Sequence, residues 1–200
     1  LAQALESRRL RFTSDYADGI TDADVTFICV PTPQDEDGSA DMTYVLNAAR
    51  AASTFLKPGA VLVTKSTVPV GSAERVAAAV GRTDVGIASN PEFLREGSAV
   101  YDFMNPDRIV IGASSPDVAK KVEDLYIALN ASVVTTSLPS AELIKYAANA
   151  FLATKISFIN EMANLCERAG ADINDVRRGM GHDSRIGFQF LFPGAGYGGS

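Results

Sequence analysis

The sequence predicts an α/β fold: part of a doubly wound parallel sheet, followed by a long connecting helix and an all-α region. Three observations predict it. Five short apolar runs rich in β-branched residues, at 24–30, 60–64, 85–88, 108–111 and 132–136, alternate with helical stretches at 43–55, 72–80 and 117–129. Within these runs hydrophobicity is continuous rather than alternating, so both faces of the sheet are covered. Residues 141–169 then run without Gly or Pro until Gly170, a helix too long for a single sheet-covering role.

Taken in order, residues 1–9 are polar and helical, and Leu10-Arg11-Phe12-Thr13 reads at best as a short edge strand. Val25-Thr26-Phe27-Ile28-Cys29-Val30 is the first strong strand. Lys57-Pro58-Gly59 and Gly81 supply helix stops ahead of the second and third strands. Pro139-Ser140 offers an N-cap for the long helix. Its later part, with Ile156, Phe158, Ile159, Met162, Ala163, Leu165 and Cys166, is apolar around much of its circumference, as in a helix buried on several sides or shared with a second copy of the chain. Residues 173–180 continue this helical region. The expected boundary separates 1–138 from 139–200.

The alternation is Rossmann-like but incomplete. A dinucleotide-binding sheet opens with a strand, a G-x-G-x-x-G turn and a helix, then an acidic residue about 20 positions on. Nothing before Asp24 fits, so the chain reads as starting mid-protein. The literal pattern occurs once, as Gly194, Gly196 and Gly199, with no strand before it. These glycines read instead as room for a ligand to approach the backbone, or as positive-φ positions.

Hydrophobic residues at 46% and charged residues at 21% are a core-forming composition. A net charge of −6 without a basic run excludes binding to a nucleic-acid backbone or an anionic membrane surface. No apolar stretch reaches membrane-spanning length and no signal peptide opens the chain, so a cytoplasmic setting is expected. Two cysteines make no disulfide framework and share no metal-ligand spacing with the single His182, so no metal is expected. Cys29 and Cys166 read as small buried hydrophobes, and His182 as a loop or cap residue.

Charged and amide side chains stand out in three places. Asn90-Pro91-Glu92-Phe93-Leu94-Arg95-Glu96-Gly97 sets two carboxylates and a guanidinium after the apolar run 85–88, where parallel strands end and open α/β sheets bind ligands. The same charges also suit a solvated helix start with acids in its first turn and one weak ion pair. Lys145 and Asn149, four apart, share a face in the first turns of the long helix, with Ala147, Ala148 and Ala150 leaving room for a ligand. The pair also suits an exposed polar stripe; an ammonium and an amide so placed can stabilise an oxygen that gains negative charge, and a buried lysine can also serve as acid or base. Arg185, in Asp183-Ser184-Arg185, reads by itself as a plain surface ion pair.

With Val30-Pro31-Thr32-Pro33, Lys65-Ser66-Thr67-Val68-Pro69-Val70-Gly71 and the closing Pro193-Gly194-Ala195-Gly196-Tyr197-Gly198-Gly199-Ser200, these motifs form an ordered set. The set resembles the nucleotide-sugar dehydrogenases of the UDP-glucose/GDP-mannose dehydrogenase family, most of all the branch acting on UDP-glucose. The resemblance implies an NAD-dependent, four-electron oxidation of UDP-glucose to UDP-glucuronate through thiohemiacetal and thioester intermediates on a cysteine. It implies that Val30, Pro31, Thr32, Ser66, Thr67 and Glu96 line the NAD site, with Thr67 also near the reacting carbon. Glu92 is implied as the acid/base that handles water, with Thr67, Lys145 and Asn149 as the other catalytic groups. Glu92, Phe93, Leu94, Arg95, Glu96, Lys145, Asn149, Arg185, Phe190, Leu191, Phe192, Pro193, Gly194 and Gly198 are implied to hold the UDP-sugar, Arg185 from a partner subunit. On the same grounds 1–138 is the C-terminal part of the NAD-binding domain and 139–200 a central domain that dimerises through the 141–169 helix. The family's cysteine directly follows Gly-Tyr-Gly-Gly-Ser, and so would follow Ser200; the 200 residues alone are therefore expected to be inactive. Alternatives are a GDP-mannose or UDP-N-acetylhexosamine dehydrogenase, a β-hydroxyacid dehydrogenase, which also places Lys and Asn four apart, and a non-catalytic dimerisation module.

Overall fold

A computed structural model describes residues 2–195, which cluster into two compact units divided between Lys145 and Tyr146. The first unit holds a five-stranded sheet in the order β1 (Val25–Ile28), β2 (Val61–Thr64), β3 (Gly86–Ser89), β4 (Ile109–Ala113), β5 (Val133–Thr136). Its helices are α1 (Ala2–Glu6), α2 (Tyr16–Ile20), α3 (Thr43–Ser53), α4 (Ser72–Val80), α5 (Ala99–Met104), α6 (Pro116–Asp124) and the start of α7 (Leu138–Ala169).

Both faces are covered, as the continuous apolar runs demand. Leu62 of β2 packs into a core with Val45 and Ala49 of α3 and Val76 of α4, whereas its neighbours Val61 and Val63 pack with Ala119 and Val122 of α6. Successive side chains on a strand point to opposite faces, so burial of all four β2 residues needs helices on both sides. The sheet helices bury residues spaced three or four apart: Val45, Ala49 and Ala52 in α3, Ala73, Val76 and Val80 in α4.

One pair departs from parallel. β1, β2 and β3 are mutually parallel and β5 is parallel to β4, but β4 runs antiparallel to β3. Between Ser89 and Ile109 the only helix is α5, about 9 Å long, and the link stays at the edge of the sheet where β3 ends. The amino end of β4 and the carboxyl ends of β1–β3 therefore share one edge.

Four local expectations are corrected. Residues 10–13 form no strand; Arg11 instead pairs with Asp18 of α2. The 117–129 stretch divides into α6, capped by the Ser115 hydroxyl accepting from the Val118 N–H, and a 3-10 turn Ile127–Leu129 that ends at left-handed Asn130. The long helix starts at Leu138, so its cap is Ser137, whose Oγ accepts from the Ser140 N–H at 3.4 Å, and Pro139 sits in the first turn where its missing N–H costs nothing. This earlier start puts Lys145 in the third turn and Asn149 in the fourth, not in the first turns. Cys29 lies beyond the end of β1 and is exposed, whereas Cys166 is buried as expected.

In the second unit α7 continues to Ala169 and α8 (Ile173–Gly181) follows, capped by the Asp172 carboxylate accepting from the Asn174 N–H. His182 is the C-cap of α8 and meets the Phe188 ring edge-on at 5.2 Å. The Asn160 side chain clasps the backbone of Gly194, accepting from its N–H at 2.9 Å and donating to its carbonyl at 3.1 Å. Phe151, Phe158 and Leu165, seven apart along α7, are exposed at 66%, 45% and 56%, so much of the apolar surface expected to be buried on several sides is open in the single chain. Among the described residues no helix is long and apolar enough to cross a membrane, and no group of three or more His, Cys, Asp or Glu could hold a metal ion.

Candidate active site

The register Ile28↔Thr64↔Ser89 brings the loops after β1, β2 and β3 side by side. Pro31 and Pro33 deprive the β1 loop of N–H donors, and hydroxyls tie it to the loop after β2. The Ser66 Oγ donates to the Val30 carbonyl at 2.6 Å, and the Thr32 Oγ1 donates to the Thr67 carbonyl at 2.8 Å. Among the described residues the half-buried Thr67 hydroxyl has no hydrogen-bond partner, which leaves it free to meet a ligand.

After β3 the chain turns at Asn90, which is 2% exposed. Its Nδ2 donates to the Val110 carbonyl at 2.8 Å, and its Oδ1 accepts from the Lys65 ammonium at 3.1 Å and from the Tyr126 hydroxyl. The segment beyond is an irregular loop, so the solvated-helix reading of 90–97 does not hold. Within it Glu92 and Lys145 meet: the Lys145 Nζ donates to Glu92 Oε1 at 2.9 Å and to the Glu92 carbonyl at 2.5 Å. The other carboxylate oxygen accepts from the Leu94 N–H at 2.6 Å. The side chains of Lys145 and Glu92 are 8% and 31% exposed. Burial pushes the Glu92 carboxyl up, but hydrogen bonds from Lys145 and the Leu94 N–H, with the charges of Lys145 and Lys65, outweigh it and hold Glu92 below its ordinary value. At neutral pH it is ionised and can accept a proton.

Two contacts aim α7 at this pair. The buried Glu142 carboxylate accepts from the Gly71 and Ala73 N–H groups, both at 2.7 Å, capping α4 where left-handed Gly71 has no side chain to do so. The residue before it, Ala141, rests directly against Gly112 of β4.

The other expected residues fall into two sets. In the first unit the Phe93 ring carries the Arg108 guanidinium at 3.7 Å, and Arg95 is bound by Asp102 at 2.6 Å, which orders the loop and leaves the guanidinium engaged. The carboxyl of Asp102 is held well below the usual carboxylate range by Arg95 and Ser98. Leu94 and Glu96 are exposed. In the second unit Asn149 is exposed on α7, and Arg185, 87% exposed, pairs with Asp183 at 2.6 Å. Phe190 has a φ of 62°, Leu191 is buried, Phe192 lies under Arg177 at 4.3 Å, and Pro193 precedes the clasped Gly194. Gly198 lies outside the described residues.

Lys65, Tyr126 and Glu142 drew no assignment from sequence, and Asn90 drew none beyond marking the turn. For Lys65 a signal existed: a cation directly after four fully buried apolar or neutral residues must lie at a strand end with its ammonium near polar groups.

The domain pattern for the UDP-glucose/GDP-mannose dehydrogenase family, NAD binding domain, matches residues 1–130, and that for the family's central domain matches residues 139–200. The chain belongs to this family. It is 50% identical to the UDP-glucose 6-dehydrogenase of Pseudomonas aeruginosa over 211 residues, covering all of this chain and 47% of that protein. Among solved structures, a UDP-glucose dehydrogenase of Pyrobaculum islandicum superposes with a TM-score of 0.90 at 45% identity, covering 96% of this chain and 46% of the other. A GDP-mannose dehydrogenase of Pseudomonas aeruginosa gives 0.85 at 30%, covering 92% and 45%. The chain thus spans about half the length of the dehydrogenases it matches. Within that family membership, the Glu92–Lys145 pair and the hydroxyl-tied loops stand at the sheet edge where such folds bind their ligands.

Proposed function

We propose that the full-length protein is an NAD-dependent UDP-glucose 6-dehydrogenase that oxidises the C6 alcohol of UDP-glucose to UDP-glucuronate by two hydride transfers through thiohemiacetal and thioester intermediates. The observation that carries this reading is the ion pair of Glu92 and Lys145 at the carboxyl edge of β3. One ammonium and one ionised carboxylate there suit both an oxyanion and a water that must lose a proton. Val30, Pro31, Thr32, Ser66 and Thr67 fit the nicotinamide end of NAD, because their loops lie side by side at the carboxyl ends of β1 and β2 beside the Thr67 hydroxyl; Glu96 joins them from the next loop. When bound, NAD supplies the hydride acceptor. Lys145, with Asn149, stabilises the oxygen at C6 as negative charge develops there. Glu92 orients water against the thioester and takes its proton. Residues 93–95, Arg185 and the 190–198 segment hold the UDP-sugar, with Arg185 reaching the site of a partner subunit. In this reading residues 1–138 are the C-terminal part of the NAD-binding domain, 139–200 belong to the central domain, and the protein is cytoplasmic. Identity of 45% to a UDP-glucose dehydrogenase against 30% to a GDP-mannose dehydrogenase favours UDP-glucose over GDP-mannose as substrate.

Two experiments test it. The wild-type full-length enzyme is expected to form two NADH per UDP-glucose. Glu92→Gln keeps the shape and loses the base, so both hydride transfers survive while hydrolysis slows, and mass spectrometry of the quenched reaction then finds protein heavier by one UDP-glucuronyl group. A variant that fails at the first NADH would assign Glu92 to alcohol oxidation instead.

The exposed stripe of Phe151, Phe158 and Leu165 repeats every seven residues, the spacing of a two-helix seam, and supports a homodimer formed through α7. Phe151→Glu with Phe158→Glu is expected to turn a dimer into a monomer in sedimentation. An unchanged dimer would move the interface elsewhere.

A further inference from the structure

Lys65 sits at the carboxyl end of β2 with its side chain turned along the site edge. Its ammonium donates to Asn90 Oδ1 at 3.1 Å, reaches the Asn90 carbonyl at 3.4 Å, and lies 5.9 Å from the centre of the Tyr126 ring. No carboxylate lies within salt-bridge distance of it among the described residues. A half-buried ammonium held only by a neutral amide and a ring costs stability, since burial removes its water and no opposite charge replaces it. An apolar residue would serve β2 better if packing were its only task.

What Lys65 does hold is Asn90, which is tied to β2, to β4 and to the segment after α6. The Asn90 N–H donates to the Thr64 carbonyl at 2.9 Å, Nδ2 to the Val110 carbonyl at 2.8 Å, and Oδ1 is shared by Lys65 and the Tyr126 hydroxyl. Two residues on stands Glu92, whose backbone carbonyl and carboxylate both receive Lys145. We propose that Lys65 is a positioning residue for Glu92: through Asn90 it fixes the turn on which Glu92 stands, and it adds a second positive charge beside the Glu92–Lys145 pair. This rests on the function proposed above. The titratable groups around it are Cys29 after β1, Glu92 after β3, Tyr126 after α6 and Lys145 on α7. Burial lowers the Lys65 ammonium from its ordinary value, with Cys29 and Glu92 opposing and Lys145 adding to the shift. In return, the Lys65 charge helps keep Glu92 ionised.

The test uses the full-length enzyme with Lys65→Met, Lys65→Arg and Tyr126→Phe. In Lys65→Met, Glu92 loses a supporting charge, so the acid limb of the kcat profile should move up by roughly half a pH unit to one unit, and kcat at neutral pH should fall about tenfold, while KM for UDP-glucose stays within about twofold. Lys65→Arg keeps the charge and should keep the acid limb in place. Hydrogen exchange followed by mass spectrometry should show residues 90–97 exchanging faster in Lys65→Met, and by a smaller margin in Tyr126→Phe, which removes one of the two donors to Asn90 Oδ1 and leaves the ring. A Lys65→Met enzyme with the wild-type acid limb overturns the electrostatic role. Unchanged exchange over 90–97 in both Lys65→Met and Tyr126→Phe overturns the positioning role, whether or not the enzyme turns over. Failure of the wild type to reduce NAD with UDP-glucose would instead overturn the proposed function.

Discussion

In the full-length enzyme, replacing Lys145 by alanine is expected to slow the first hydride transfer about a hundredfold or more, the scale of losing one preorganised oxyanion donor. Lys145 is held by two hydrogen bonds to one residue, so its ammonium does not need to reorganise when charge develops. Its removal also leaves the Glu92 carbonyl and Oε1 without their donor, and burial then acts on the Glu92 carboxyl with only Lys65 and the Leu94 N–H opposing it. The Glu92 carboxyl should therefore rise. Because its native value is depressed, the stability that Glu92 contributes is present above its unfolded value and fades as pH falls through the native one. The wild type should consequently lose more stability than Lys145→Ala when acidified from neutrality to about pH 4. Single-turnover NADH formation and thermal melts at both pH values check the two halves. A normal rate of alcohol oxidation would remove Lys145 from the chemistry.

Gly112→Ala is expected to unfold or displace what aims Lys145. A Cβ at Gly112 would stand 2.6 Å from the Ala141 Cβ, 2.8 Å from the Ser137 carbonyl oxygen and 3.0 Å from the Leu138 Cα. None of these is the end of a flexible side chain, so relief requires α7 to move as a body away from β4. The expected cost is about 3 kcal/mol, a fall in Tm of roughly 6–12 °C for a domain of this size. An α7 shifted by about 1 Å would also loosen the Lys145–Glu92 geometry, and kcat should drop by about a hundredfold beyond any loss of folded protein. Gly179→Ala is the matched control: a Cβ there meets nothing within 4 Å, so on α8 it should stabilise by up to about 1 kcal/mol. Equal melting temperatures for Gly112→Ala and wild type would mean that α7 is not seated on Gly112.

Much of this architecture was legible residue by residue. The strands begin and end within about two residues of the apolar runs, and α4 matches the expected helix at both ends, because burial on two faces writes continuous hydrophobicity and Gly or Pro marks the stops. The octapeptide from Asn90 to Gly97 and the lysine on the long helix could be singled out for the same reason: charge placed after a buried strand, or among alanines on a helix, has little packing to do.

Other features were decided only by the tertiary structure. The reversal of β4 is invisible in its own sequence, since Ile109–Ala113 would be equally apolar in either direction; what decides it is a link that never leaves the edge where β3 ends. Ser140 satisfied a local capping rule, yet Ser137 took the position because the helix could start earlier with Pro139 in its first turn. Glu142 capping a helix that begins 70 residues earlier, and Lys65, Asn90 and Tyr126 meeting from three separate elements, have no local signature at all. Sequence periodicity records whether a side chain is buried, which is a property of its own segment. Which partner it meets depends on how distant segments close on one another, and that was determined only when the sheet assembled.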